Sequence, residues 1–239
     1  MASIDDIKGI IFDYGGTIDS RGVHWSEVIY DGYADAKVAV DKADFREAYV
    51  YAERELARVR HILPEHNFYD VLFRKMQIEL RYLVENEILP ESTDIDNCAE
   101  RIALYCYSHA RQCVEEARPT LDWLYERRPM VLVSNFYGNV ETVLADFDLL
   151  RYFKTVIESA VVGVRKPDPQ IFRLGVDALG MKPEEVLVVG DSLSKDIYPA
   201  ESIGCKTLWL KGKGWTAEED AATHPHTIKS LSEIPSASL

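Results

Sequence analysis

The sequence predicts an α/β protein, a doubly wound parallel sheet with an all-helical block inserted into it, and three observations predict it. The apolar run Ile10-Ile11-Phe12 stops at Asp13 and is followed by Gly15-Gly16, which reads as a buried strand with a sharp turn past its carboxyl end. From Val23 to about Glu115 apolar residues recur at helical spacing, with no strand alternation and few glycines. After Pro119 helices alternate with short apolar strands, which implies right-handed crossovers and a parallel sheet.

The expected division is a core of residues 1–20 and 116–239 and a helical block of residues 21–115. Within the block, helices are expected over Trp25–Val40, from an N-cap at Asp44 to Val59, from Phe68 through Leu83, and from Asp94 to Cys113, with Pro64 and Pro90 as breaks. In the core, helix Thr120–Arg127 leads to strand Met130–Val133, which ends at Ser134-Asn135. Helix Val140–Phe147 leads to a weaker strand at Thr155–Ile157, and helix Gln170–Leu179 to strand Val186–Val189, which ends at Gly190-Asp191. Helix Ile197–Ile203 leads to strand Thr207–Leu210, and Thr227-Ile228 reads as an edge strand.

Composition narrows the function classes. The chain of 239 residues has 27 Lys and Arg against 40 Asp and Glu, a formal charge of −13, which argues against a nucleic-acid or anionic-membrane surface. The N-terminal apolar run is too short for a signal peptide and no segment approaches a membrane span, so the expected compartment is the cytoplasm. The cysteines, Cys98, Cys106, Cys113 and Cys205, form no C-x-x-C pair and read as buried thiols. Oligomeric state stays open.

Three strands end in a polar group. In open α/β sheets ligands bind at the carboxyl ends of strands, so Asp13, Ser134-Asn135 and Asp191 converge on one edge, with Lys166 in a loop on it. Each has a plainer reading alone: Asp13 bonding its own turn, Ser134 or Asp191 capping a helix, Lys166 a surface lysine. Together, Asp13 and Asp191 would repel unless a cation lies between them, and oxygen ligands without His or Cys favour Mg²⁺. Lys166 would balance phosphate charge. Ser134 and the backbone N–H groups around Ser134, Asn135 and Gly16 would hold phosphate oxygens. Asp196 would orient Lys166 or a metal-bound water, and Asp13 would be the nucleophile that forms an aspartyl phosphate.

These segments resemble the haloacid dehalogenase superfamily of phosphohydrolases. Its first motif, a strand followed by D-x-D-x-T, is met by Asp13, Gly15 and Thr17, with glycine in the place of the second aspartate. Its second, third and fourth motifs are matched by Ser134, by Lys166 in V-R-K-P-D-P-Q-I-F, and by Asp191 and Asp196 in G-D-S-L-S-K-D. The resemblance implies that the helical block is a cap closing over a small phosphorylated substrate, that Gly16 and Thr17 belong to the substrate-binding loop, and that the backbone carbonyl of Gly15 is a Mg²⁺ ligand.

In the family the missing aspartate protonates the leaving alcohol and activates water, a role that typically contributes about 10²- to 10⁴-fold. Three readings follow: a phosphatase whose acid comes from elsewhere, with His24, His61, His66 and His109 as candidates, or is unnecessary; a C–P bond hydrolase using a cap lysine, Lys37, Lys42 or Lys75; or a weakly active or inactive protein that binds a phosphorylated ligand or partner.

Overall fold

The computed structural model describes residues 4–239. Six strands, β1 (Gly9–Phe12), β2 (Met130–Ser134), β3 (Phe153–Glu158), β4 (Val186–Gly190), β5 (Lys206–Leu210) and β6 (Thr227–Ile228), form one sheet in the order β3-β2-β1-β4-β5-β6. Every pairing is parallel. β1 is central because its four residues are all buried and can be covered on both faces.

Alternation along the strands separates two apolar layers. Ile10 and Phe12, Met130 and Leu132, and Leu187 and Val189 face a core shared with the helical block. Ile11, Val131, Val133, Val186 and Val188 face the opposite layer with Ile171, Phe172 and Val176. The sheet is thus doubly wound, as the sequence predicts.

The helices are α1 (Trp25–Asp35), α2 (Lys42–Arg58), α3 (Phe68–Glu85), α4 (Ile95–Tyr125), α5 (Val140–Asp146), α6 (Ser159–Val162), α7 (Gln170–Leu179), α8 (Tyr198–Ser202) and α9 (Ala217–Ala221). α1 ends five residues before the expected Val40. Lys37 takes a left-handed conformation (φ 58°), with Val38 N–H donating to Tyr33 O and Lys37 N–H to Ala34 O. That is a Schellman stop without the glycine that would announce it. The N-cap of α2 is Asp41 rather than Asp44, its carboxylate accepting from the N–H groups of Ala43 and Asp44 at 2.9 Å.

The largest departure is α4, which runs unbroken through Pro119 and merges two expected helices. A proline inside a helix costs roughly 3 kcal/mol. Here burial of Val114 and Ala117 before it and Leu121 and Leu124 after it holds both flanks in place. α4 therefore carries the chain without a break across residues 115 and 116, where the sequence places the boundary. All four cysteines are free thiols. Among the described residues no helix is long and apolar enough to cross a membrane.

The helical block buries one carboxyl with little help. Glu79 Oε2 accepts from the Tyr33 hydroxyl at 3.2 Å, Oε1 has no partner among the described residues, and burial pushes the carboxyl up to about 8. The folded chain therefore keeps a proton on Glu79 that the unfolded chain, with its ordinary value of 4.5, releases. Stability falls as pH rises from 4.5 toward 8 and levels off above. Glu79→Gln removes this contribution, so melting temperatures measured between about pH 5 and pH 8 should decline less steeply in the variant than in the unmodified protein.

Candidate active site

Asp13 leaves the end of β1 with its N–H still bonded to Val189 O (3.0 Å), so the β1–β4 pairing aims its carboxylate out of the sheet. Asp191 follows β4, and its carbonyl accepts from Trp209 Nε1 (2.7 Å) of β5. Asp196 sits in a π-helical turn, Leu193–Ile197, with Oδ2 accepting from Ser192 N–H (3.1 Å). It comes close because position 190 has no side chain: a Cβ there would lie 2.5 Å from Asp196 Cβ. Ser134, the last residue of β2, is buried and lines the same cavity.

Lys166 lies in the loop before α7 and is all but inaccessible to solvent. Its Nζ is 2.6 Å from Asp13 Oδ1 and 2.7 Å from Asp196 Oδ1. Burial pulls the ammonium down, but these two carboxylates outweigh it and leave the group above its ordinary value. The Asn135 side chain grips the Lys166 backbone from both sides, accepting from its N–H (3.0 Å) and donating to its carbonyl (3.1 Å). The Asn135 side-chain amide thus fixes Lys166, and the residue also lines the cavity.

Asp13, Asp191 and Asp196 each bring an oxygen within 4.8 Å of the others. Burial first, then the charges of Asp13 and Asp196, hold the Asp191 carboxyl well above the usual carboxylate range. One lysine does not balance three acids, and an all-oxygen donor set fits a hard divalent cation.

The loop after β1 departs in part from expectation. The Thr17 hydroxyl donates to Asp13 Oδ2 (2.8 Å) and is 3.2 Å from Asp191 Oδ1, and Thr17 does not line the cavity. It holds the carboxylates in register instead of facing a substrate. Gly16 N–H, expected among the phosphate donors, donates to Asp19 Oδ1 (2.7 Å). Gly15 lines the cavity, and among the described residues the only heavy atom within 4 Å of a Cβ added there is Asp19 Oδ2, at 4.0 Å.

Asp19 is a site residue that sequence reasoning missed. Its oxygens also accept from Trp25 Nε1, both at 3.1 Å, and burial drives the carboxyl up to about 8. The acid four residues beyond a missing acid was the available signal.

The cavity, about 660 Å³, lies between the sheet edge and the helical block. Of the four histidines considered, only His24 lines it. Burial pulls His24 down to about 4, and its Nδ1 accepts from Ser26 N–H (3.2 Å). His61 is bonded to Glu55, and His109 packs against Trp25. Of the three lysines, Lys75 alone lines the cavity, while Lys42 pairs with Glu27. The loop after β5, which carried no sequence signal, closes one side: Trp215 packs against His24 and Tyr49 and stacks on Arg46.

Fold and site define the class, an α/β protein with an acidic, cation-compatible centre at the carboxyl edge of its sheet. The chain belongs to the haloacid dehalogenase-like hydrolases, whose family pattern matches residues 7–204. It is 40% identical over 84 residues to glyceraldehyde 3-phosphate phosphatase of Pyrococcus furiosus, a match covering 35% of each chain. It is 35% identical over 86 residues to phosphoserine phosphatase of Thermus thermophilus, covering 36% of this chain and 34% of that one. The chain thus spans about a third of the length of these relatives. In fold it is similar to the putative HAD-hydrolase YfnB from Bacillus subtilis bound to magnesium, with TM-score 0.57 and 18% identity, over 95% of this chain and 96% of that one.

Gly16 leaves this centre no room for a side chain. Its φ is +98°, and an added Cβ would lie 2.4 to 2.6 Å from three atoms of the Asp191 carboxylate. Gly16→Ala should lower the unfolding free energy by about 1–3 kcal/mol, measured by denaturant titration.

Proposed function

We propose that the protein is a Mg²⁺-dependent phosphohydrolase that cleaves a small phosphorylated metabolite through an aspartyl phosphate on Asp13. The observation that carries this is the gathering of Asp13, Ser134, Lys166, Asp191 and Asp196 in the lining of one cavity. The phosphatase names of the two curated relatives support the substrate class, and the magnesium bound to YfnB supports the ion.

In this reading the Asp13 and Asp191 carboxylates and the Gly15 carbonyl hold Mg²⁺, which when bound draws charge from the phosphoryl oxygens. Ser134 and Lys166 position the phosphoryl group, and Asp196 holds Lys166 at 2.7 Å. Asp13 attacks phosphorus through the oxygen that Lys166 does not hold, the P–O bond to the leaving group breaks, and water then hydrolyses the acyl phosphate to phosphate and free Asp13. The helical block acts as a cap that excludes bulk water, joined to the core by Tyr137 on Glu53, Asn139 on His66 O (2.7 Å) and Thr142 on Pro64 O (2.6 Å).

Two observations weigh against the other readings. Lys75 is ion-paired with Glu53, which outweighs burial and keeps the amine protonated, against the free amine that a Schiff base in C–P cleavage requires. The intact Lys166 clamp argues for turnover. Gly15 is the one feature favouring a weakly active protein that binds a phosphorylated ligand.

Phosphate release from a metabolite panel and an aryl phosphate, with and without Mg²⁺, tests the proposal. Asp13→Asn should abolish Mg²⁺-dependent release, and release that survives this change rejects it. Mg²⁺ binding without any release selects the weakly active reading. Because the space beside Gly15 is open, Gly15→Asp should raise hydrolysis of unactivated esters by roughly 10²-fold, and no gain in a folded variant would count against a missing acid as the deficit.

A further inference from the structure

The wall opposite the sheet edge carries a carboxylate with no part in phosphoryl chemistry. Glu53 of α2 lines the cavity that Asp13 also lines, and 40% of its side chain is exposed. Its neighbours on this wall include Val50, Val71, Leu72 and Phe68. A lone carboxylate in such a wall fixes the orientation of a ligand in a mainly apolar pocket.

Glu53 is held from behind. The Lys75 ammonium of α3, almost fully buried, pairs with Oε1 and sits 3.8 Å from the centre of the Tyr49 ring. The Tyr137 hydroxyl, from the loop after Ser134, lies 3.3 Å from Oε1 and 3.5 Å from Oε2. An ionised carboxylate has about four acceptor positions. Lys75 and Tyr137 occupy the Oε1 side and leave Oε2 with only its long contact. Burial raises the Glu53 carboxyl, but Lys75 more than offsets this and leaves it below its ordinary value, so Glu53 accepts hydrogen bonds and does not donate them. The Lys75 charge also cancels that of Glu53, so the wall does not repel a phosphate.

We infer that Glu53, positioned by Lys75 and Tyr137, reads the leaving group of the substrate by accepting a hydrogen bond from a hydroxyl or ammonium that it carries. The substrate class is then monoesters of polyols or amino alcohols, favoured over plain alkyl monoesters. This inference rests on the phosphohydrolase reading.

The test compares propyl, 3-hydroxypropyl and 3-aminopropyl phosphate, with an aryl phosphate as a donor-free reference, on the full chain with Mg²⁺. In the unmodified protein kcat/KM for the hydroxy and amino esters should exceed that for the propyl ester by about 10- to 100-fold, chiefly through KM. Glu53→Gln should bring these ratios toward one, with the larger loss for the amino ester, which loses a charged partner. A larger loss for the hydroxy ester assigns the site to polyols instead of amino alcohols within the same class.

Equal kcat/KM for the three esters in the unmodified protein overturns the inference, as does a preference unchanged in Glu53→Gln. Should Glu53→Gln fail to fold because Lys75 is left unpaired, the double variant Glu53→Gln/Lys75→Met removes both charges and must show the same loss of preference. Release from the aryl phosphate with a flat ester series rejects this inference alone. No release from any ester rejects the phosphohydrolase reading and this inference with it.

Discussion

The rest of the structure depends on one buried ammonium. Lys166 stands between Asp13 and Asp196, and taking the lysine away would leave two buried carboxylates without their partner, a loss of about 3–5 kcal/mol in comparable cases. The pairing also ties together parts of the chain that are far apart in sequence: the end of β1, the turn after β4 and, through the Asn135 amide, the end of β2. Parallel strands place those ends on one edge, and the lysine sets their spacing. The acids still outnumber the lysine, so the edge keeps a demand for positive charge that the chain itself does not meet.

The parts of this arrangement written in consecutive residues were legible before the fold was known. The strands show as short apolar runs, and Asp13, Ser134, Lys166, Asp191 and Asp196 show because each follows or flanks a strand end. What could not be read is decided by partners distant in sequence or by backbone conformation. Nothing local says that Thr17 turns its hydroxyl to Asp13 and Asp191, or that Asp19 takes the Gly16 N–H. The stop at Lys37 has no glycine, and the proline in α4 is overridden by burial on both sides. Glu53 and Lys75 lie on different helices, and only tertiary packing makes them a pair.

The loop after β1 shows how the loss of one acid is accommodated. Gly15 leaves space at the cavity, yet the loop is not slack, because Asp19 anchors it to both Gly16 and the indole of Trp25 at the start of α1. The same contact joins the sheet edge to the first helix of the block, so the position of that block is linked to the geometry of the acidic centre. The loop carrying Trp215 makes a second such link from the far side, through the rings of His24 and Tyr49. The cavity is therefore walled by two loops of the sheet edge as well as by the helices above it.

The unbroken course of α4 has a mechanical consequence. A helix of 31 residues is about 46 Å long, and this one packs on α1 and α3 and on the short helical turns Leu150–Tyr152 and Leu231–Ser236. The other covalent crossing between the two halves is the short stretch around Gly22, whose φ is +79°. One crossing is thus a single long helix, and the other is a turn packed so closely on Leu210 and Gly212 that position 22 has no room for a side chain. A change of backbone at either crossing is therefore felt on both sides of it, because neither is a free linker.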